Sequence, residues 1–238
     1  MNARIKAEVY KRGITRLCHF SPSRNLAQIL MGNMGILATK KLKDDERSVY
    51  TPTDLERLDG FPDHICCTIE YPNAWYFEKA RAREMLFKDW VVLLIDPKYL
   101  WCKGTKFCSR NAAAGFGGDV AEGELAFQKI FAERTVGAYG KSFVRTGVRL
   151  DSCPTDEQAE VLVPDTISMG DIIGVVVQTE EQARNELVRI KLLNVPQAVQ
   201  DGLRFVVAPV LFDKYELSSS LKVGRRPEEK PFDKVLLS

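Results

Sequence analysis

Two side chains in this chain have the residue type and setting to do chemistry, His19 and Glu160. His19 ends an apolar stretch, Leu17-Cys18-His19-Phe20, immediately before Ser21-Pro22-Ser23, which carries a helix N-cap signal. Backbone N–H groups and the positive dipole end at a helix start favour a phosphate close by. A hydrogen-bonded, half-buried histidine is the other reading of the same position. Glu160 lies in Gln158-Ala159-Glu160-Val161-Leu162-Val163. Strand alternation puts Gln158, Glu160 and Leu162 on one face and the wholly apolar Ala159, Val161 and Val163 on the core face. Glu160 then lines a cleft wall as a partly desolvated carboxylate, a common setting for a catalytic group. The competing reading is a solvent-facing strand glutamate paired with Lys or Arg.

Other chemistries leave no trace. The chain has no GxxxxGK[ST] phosphate loop, no HExxH and no GxSxG elbow. GFGGDV at 115–120 lacks the GxGxxG spacing and reads as a flexible connector. His19 and His64 are the two histidines, and Cys18 points to the opposite strand face from His19, so a Cys–His nucleophile pair gains little support. The six cysteines, Cys18, Cys66, Cys67, Cys102, Cys108 and Cys153, include no CxxC pair and read as buried free thiols, with no metal expected.

The elements that must position these residues follow from periodicity. Ile14–Phe20 reads as a first strand, Asn25–Met31 as a helix stopped by Gly32 and Gly35, and Ile36–Ala38 as a second strand. Residues 40–62 read as a long loop or a short helix within one. His64–Glu70 is a strand stopped by Tyr71-Pro72, and Asn73 caps a helix through Trp75, Phe77, Ala80 and Met85. Trp90–Asp96 is the clearest buried strand. A short strand at Lys106–Ser109, a helix over Glu122–Glu133 and an irregular stretch over 139–154 come next. Then come strands over Gln158–Val163 and Ile172–Gln178, a helix over Glu180–Leu192 and a last strand over Arg204–Leu211. With 238 residues, 45% hydrophobic and 28% charged, the chain suits one mixed α and β domain, with residues 1–13 a leader and 222–238 a tail, both expected at the periphery. The polar start MNARIKAEVYKRG has no apolar signal region, and no apolar run approaches about 18 residues, so a cytoplasmic protein without a membrane partner is expected.

The string from Ile14 through Leu26, ITRLCHFSPSRNL, followed by Ile29-Leu30 and Gly35-Ile36-Leu37, resembles the opening of the DarT family, ADP-ribosyltransferase toxins that modify single-stranded DNA. Gln158–Val163 is similar to the strand where that family keeps its catalytic glutamate. The resemblance runs from about Arg16 to Val177, close at both ends and loose between. It implies an α+β fold with an ADP-ribosyltransferase-like split β-sheet core and flanking helices. It also implies NAD⁺ as co-substrate without a metal. His19, Phe20, Ser21, Asn25 and Leu37 would then line the NAD⁺ cleft. An arginine from the loop after the second strand would help bind and activate, with Arg57 the best match and Arg47 the runner-up. Trp75 falls where the family places an aromatic, though it equally suits core packing. Glu160 would stabilise an oxocarbenium-like ribose and accept the proton of the attacking base.

A formal net charge of +2 implies no nucleic-acid partner by itself, so local clustering has to supply one. Lys79, Arg81 and Arg83 form one cationic group, Lys103, Lys106 and Arg110 a second, and Lys141, Arg145 and Arg149 a third in the loop leading to Glu160. That third set is where an acceptor would enter. The resemblance implies a toxin of a toxin–antitoxin or phage-defence system, countered by an antitoxin of ADP-ribosyl hydrolase type. Alternatives are RNA, protein or water as acceptor, or a nucleic-acid-binding module that lost activity.

Overall fold

Trp90–Ile95 is apolar at every position, which suits a strand covered on both faces. The computed structural model of the chain describes residues 1–31, 35–44, 57–137 and 140–233. In chain order its strands are β1 (Leu17–Pro22), β2 (Ile36–Leu37), β3 (His64–Ile69), β4 (Trp90–Ile95), β5 (Lys106–Cys108), β6 (Ala121–Glu122) and β7 (Arg134–Val136). They continue with β8 (Ser142–Val144), β9 (Glu160–Pro164), β10 (Thr166–Ile167), β11 (Ile172–Val177), β12 (Phe205–Val207) and β13 (Lys230–Pro231). Nine of these join in one sheet, ordered β13-β12-β11-β4-β1-β3-β9-β5-β6, while β2 pairs β10 and β7 pairs β8. β4 lies near the middle with all six residues buried. Among the described strands only β11 and β12 run parallel, a pairing that needs a long crossover.

The helices are α1 (Ala3–Lys11), α2 (Leu26–Met31), α3 (Thr39–Asp44), α4 (Ala74–Arg83), α5 (Glu124–Lys129), α6 (Glu180–Leu192), α7 (Gln197–Gly202) and α8 (Lys214–Lys222). One sheet face carries Leu17, Cys67, Leu93, Val161, Val163 and Val175 and packs against α1, α2, α5 and α6. The other carries Cys18, Val92, Leu94 and Val176 and packs against Phe77 of α4 and Leu217 and Leu221 of α8. This is the α+β arrangement expected, with helices on both faces.

The feature that makes a site is a fork. β1 pairs β4 over six positions, from Leu17↔Ile95 to Pro22↔Trp90. It pairs β3 at two, Leu17↔Ile69 and Cys18↔Thr68. Beyond Cys18 the two strands part, and the rest of β3 stays with β9. The turn after β1 is fixed from behind by α6, where Arg189 donates to Ser23 Oγ at 2.9 Å and to the buried Glu186.

Several elements differ from expectation for physical reasons. β1 starts three residues late because Glu70, buried at a left-handed φ of 65°, takes the Thr15 and Arg16 amides on its carboxylate. Ser23–Asn25 is a 3₁₀ turn, and the α-helix starts at Leu26. β9 starts at Glu160 because Asp156 ties the Gln158 amide into a turn. The helix expected over Glu122–Glu133 is limited to Glu124–Lys129. The irregular stretch before Glu160 contains β8, paired with β7. The leader is α1, capped by Asn2 and burying Ile5 and Val9. The tail is largely exposed, as expected, but it is also tied down: Glu229 pairs with Arg16 and β13 adds an edge strand to the sheet. All six cysteines are free thiols, Cys66 and Cys102 half-buried and the others buried.

Candidate active site

His19 stands where β1 and β3 part. Its Nδ1–H donates to the Cys66 carbonyl at 2.8 Å, across the opening gap. A carbonyl can only accept, so this bond assigns the ring proton to Nδ1 and leaves Nε2 an acceptor. Burial lowers the His19 pKa below the ordinary histidine value, the Cys66 bond opposes that, and the Arg57 charge lowers it further. The ring is therefore neutral near pH 7, suited to accept a hydroxyl proton. The sign is definite. Protonation belongs to pH values below the ordinary histidine range, and folding stability declines as pH falls from that range towards the lowered value. The expected result is a neutral His19 ring with its proton on Nδ1 at pH 6.5, read from imidazole ¹⁵N shifts. A protonated ring at that pH would contradict the assignment.

Glu160 occupies the other arm of the fork. It opens β9 directly opposite Cys108 of β5, with 7% of its surface exposed. Its two carboxylate oxygens accept separately, Oε1 from Asn111 Nδ2 and Oε2 from the Ala112 amide, both at 3.0 Å. Sequence alternation correctly separates it from Ala159, Val161 and Val163, which lie in the main core, while Leu162 packs with Cys108 and Ala112. The partner loop is a correction. Asn111–Gly118, which runs into the stretch at 115–120 read as a flexible connector, contains a 3₁₀ turn at Ala112–Gly115 whose first amide holds Glu160. Gly117 anchors it at a φ of +78°, and a Cβ there would lie 2.1 Å from the Asp59 carbonyl oxygen. Asn111 is therefore a site residue that sequence reading missed, and its Ala/Gly-rich surroundings hide it.

Arg57 completes the cluster. Its side chain is 9% exposed and pairs with Asp59 at 2.8 Å. It also donates to the His64 carbonyl at 2.6 Å, to the Phe61 carbonyl and to Thr39 Oγ1 at 3.4 Å. It sits at a left-handed φ of 40°, a conformation costing about 1–3 kcal/mol that surrounding bonds must hold. Its field reaches His19 on one side and Cys66 on the other. Burial pushes the Cys66 thiol up, Arg57 opposes that, and Glu160 and Asp59 add to it. His19, Arg57 and Glu160 are thus linked through Cys66 of β3, the strand that lies between β1 and β9.

The other expected residues divide. Phe20 stacks on Phe77 of α4 with ring centroids 4.5 Å apart. Ser21 and Asn25 are both buried, and Asn25 Nδ2 donates to Ser21 Oγ at 3.0 Å, bracing the turn after β1. Leu37 pairs with Thr166 in the β2–β10 ladder, just beyond the end of β9. Trp75 donates its indole N–H to Glu157 at 3.4 Å and meets Tyr215 edge-on at 5.8 Å. Arg47 lies outside the described residues. The cationic loop face is corrected. Lys141 is exposed, but Arg145 turns inward onto the Cys153 and Leu150 carbonyls, both at 2.8 Å. Arg149 likewise donates to the Pro154 carbonyl, with its side chain 7% exposed. Loop carbonyls without ladder partners claim these guanidiniums, so they brace the loop from within.

The family model for DarT, the ssDNA thymidine ADP-ribosyltransferase, matches residues 18–200. The chain belongs to the DarT family. It is an ADP-ribosyltransferase of the single-stranded-DNA class, and the DarT match encloses His19, Arg57 and Glu160 but stops short of α8. Among solved structures it is similar to Thermus sp. 2.9 DarT in complex with ADP-ribosylated ssDNA, at 15% identity, TM-score 0.51, covering 84% of this chain and 97% of that one. It is also similar to Thermosipho africanus DarTG in complex with ADP-ribose, at 15% identity and TM-score 0.54, covering 83% of this chain and 51% of that one. This chain thus spans about half of that second protein. At such identity the likeness shows the shared DarT fold. No curated protein matches the chain. Among the described residues, no group of three His, Cys, Asp or Glu side chains is placed to hold a metal ion, and no helix is long and apolar enough to cross a membrane.

Proposed function

We propose that the fork between β1 and β3 holds NAD⁺ and that Glu160 is the catalytic carboxylate for ADP-ribosylation of thymidine in single-stranded DNA. One observation carries this reading: Cys66 of β3 links a histidine acceptor, a buried arginine and a doubly held carboxylate, since its carbonyl takes the His19 ring proton and its thiol feels the charges of Arg57 and Glu160. The similar Thermus DarT structure holds ADP-ribosylated single-stranded DNA and the similar DarTG structure holds ADP-ribose, the group that NAD⁺ would supply.

Each group has a task that suits its setting. The neutral His19 accepts a ribose hydroxyl through Nε2. Phe20, Ser21, Asn25 and Leu37 shape the wall around the nicotinamide ribose, and Arg57 supplies positive charge that favours the pyrophosphate. As the bond from ribose C1′ to the nicotinamide nitrogen breaks, its electron pair leaves with neutral nicotinamide and positive charge grows on the ribose. Glu160 stabilises that charge and then accepts the proton released as the base attacks C1′. Thymine within a nucleotide carries one N–H, at N3, so that nitrogen is the atom from which the proton leaves. Asn111 and Ala112 keep both Glu160 oxygens aligned throughout. Arg145 and Arg149 act from within the loop before Glu160, shaping the surface that meets the acceptor, and Lys141 is its exposed cation.

The biological reading is a cytoplasmic toxin paired with an antitoxin of ADP-ribosyl hydrolase type, supported by family membership and by the likeness to a DarTG structure. The decisive experiment supplies labelled NAD⁺ with separate pools of single-stranded DNA, duplex DNA, RNA and protein. Label is expected in thymidine-containing single strands. Label confined to protein would refute the assignment of the acceptor.

A further inference from the structure

α8 lies outside the DarT match, yet it reaches the neighbourhood of Glu160. Asp213 caps it by accepting the Tyr215 and Glu216 amides, and this fixes Tyr215 in the first turn, with the residue 67% exposed. An exposed tyrosine alone means little. This one meets Trp75 of α4 at a ring separation of 5.8 Å and an interplanar angle of 81°. Lys214 Nζ lies 4.8 Å from the Tyr215 ring centre and 5.2 Å from that of Trp75, and pairs with Glu78 at 2.6 Å.

Glu157 joins this aromatic corner to the reacting centre. It accepts from Trp75 Nε1 at 3.4 Å and from Ser218 Oγ of α8 at 3.1 Å. It precedes Glu160 by three residues, so their Cα atoms are at most about 11 Å apart. The side of the sheet agrees as well. Glu160 shares a face with Cys108, Leu162, Cys66 and Cys18, the face on which α4 and α8 pack.

We propose that Tyr215, backed by Trp75, is a stacking subsite for a base of single-stranded DNA flanking the modified thymidine. The inference rests on the reading of Glu160 as the reacting centre. Every base has a π-face, so an aromatic side chain can hold a neighbouring nucleotide without reading its identity. Lys214 is already engaged by Glu78, and Asp213 and Glu216 flank it, so the subsite works by stacking and adds little phosphate neutralisation.

The test uses oligonucleotides with one thymidine and a single abasic site at each flanking position in turn. Binding is measured by anisotropy and transfer by KM. In the unaltered protein one flanking abasic site is expected to weaken binding by about 5- to 150-fold. Tyr215→Ala is expected to weaken binding of the intact oligonucleotide by a similar factor, to add no further loss at that abasic position, and to leave the salt slope unchanged. Tyr215→Phe restores affinity. Unchanged affinity in Tyr215→Ala, or equal sensitivity to every abasic site with and without the tyrosine, overturns the subsite. Transfer by Glu160→Gln protein would instead overturn the reading of the centre, and the binding series run with that variant keeps the two failures apart.

Discussion

Glu160→Gln is expected to lower transfer to single-stranded DNA by roughly 10³-fold while leaving the Kd for NAD⁺ within a few-fold of its original value. The substitution keeps shape and removes charge, so it loses both the stabilisation of the ribose cation and the acceptor for the base proton. A glutamine also brings an NH₂ group to a site where Asn111 Nδ2 and the Ala112 backbone N–H both donate. One donor then loses its acceptor, which costs about 1–3 kcal/mol and loosens the loop. Asn111→Ala sets the scale of that second effect, since it removes a donor and keeps the carboxylate. If Asn111→Ala were as inactive as Glu160→Gln, loop geometry alone would account for the loss. An active Glu160→Gln or Glu160→Ala enzyme would remove the central claim.

What the sequence made legible follows from where each element gets its order. β4 and α6 come from their own composition, an unbroken apolar run and a capped, charge-alternating segment, and both appear essentially where expected. The Glu160 face was legible for the same reason, because alternation in β9 is local. Asn111–Gly118 was not, because its shape comes from partners far along the chain: Glu160 on the Ala112 amide and Asp59 against Gly117. No period in an Ala/Gly run encodes that. Arg145 and Arg149 misled in the opposite way. Their charge suggests an exposed phosphate-binding face, but nearby loop carbonyls compete for guanidiniums, and sequence patterning does not reveal how a loop folds over its own arginines. The α8 corner carries no motif at all, since Tyr215, Trp75 and Glu157 meet only through packing.

Arg57→Ala is expected to lower Tm by roughly 6–20 °C, because it leaves Asp59 buried without its cation at a cost of about 3–5 kcal/mol. Asp59 has 4% of its side chain exposed and also accepts from the Cys66 thiol at 3.5 Å, so water does little to replace the guanidinium. Loss of activity in that single variant would therefore not distinguish a strut from a group that handles substrate. Arg57→Ala combined with Asp59→Asn removes the stranded charge, and most of the lost Tm is expected to return, with a coupling between the two sites of the size seen for contacting pairs, about 0.5–3 kcal/mol. Activity should not return with it. If Arg57 supplies the field that draws the NAD⁺ pyrophosphate into the fork, the doubly substituted protein keeps a KM for NAD⁺ raised by about tenfold or more, as expected for removal of one charge-assisted contact of about 1.5–3 kcal/mol. The His19 ring supplies an independent readout. Arg57 is one of the causes of its lowered pKa, so removing that charge should move the His19 titration up towards the ordinary histidine value in both variants. A doubly substituted protein that is stable, shows the shifted histidine and transfers at full rate would make Arg57 a structural brace and leave Glu160 and His19 as the chemistry of the fork.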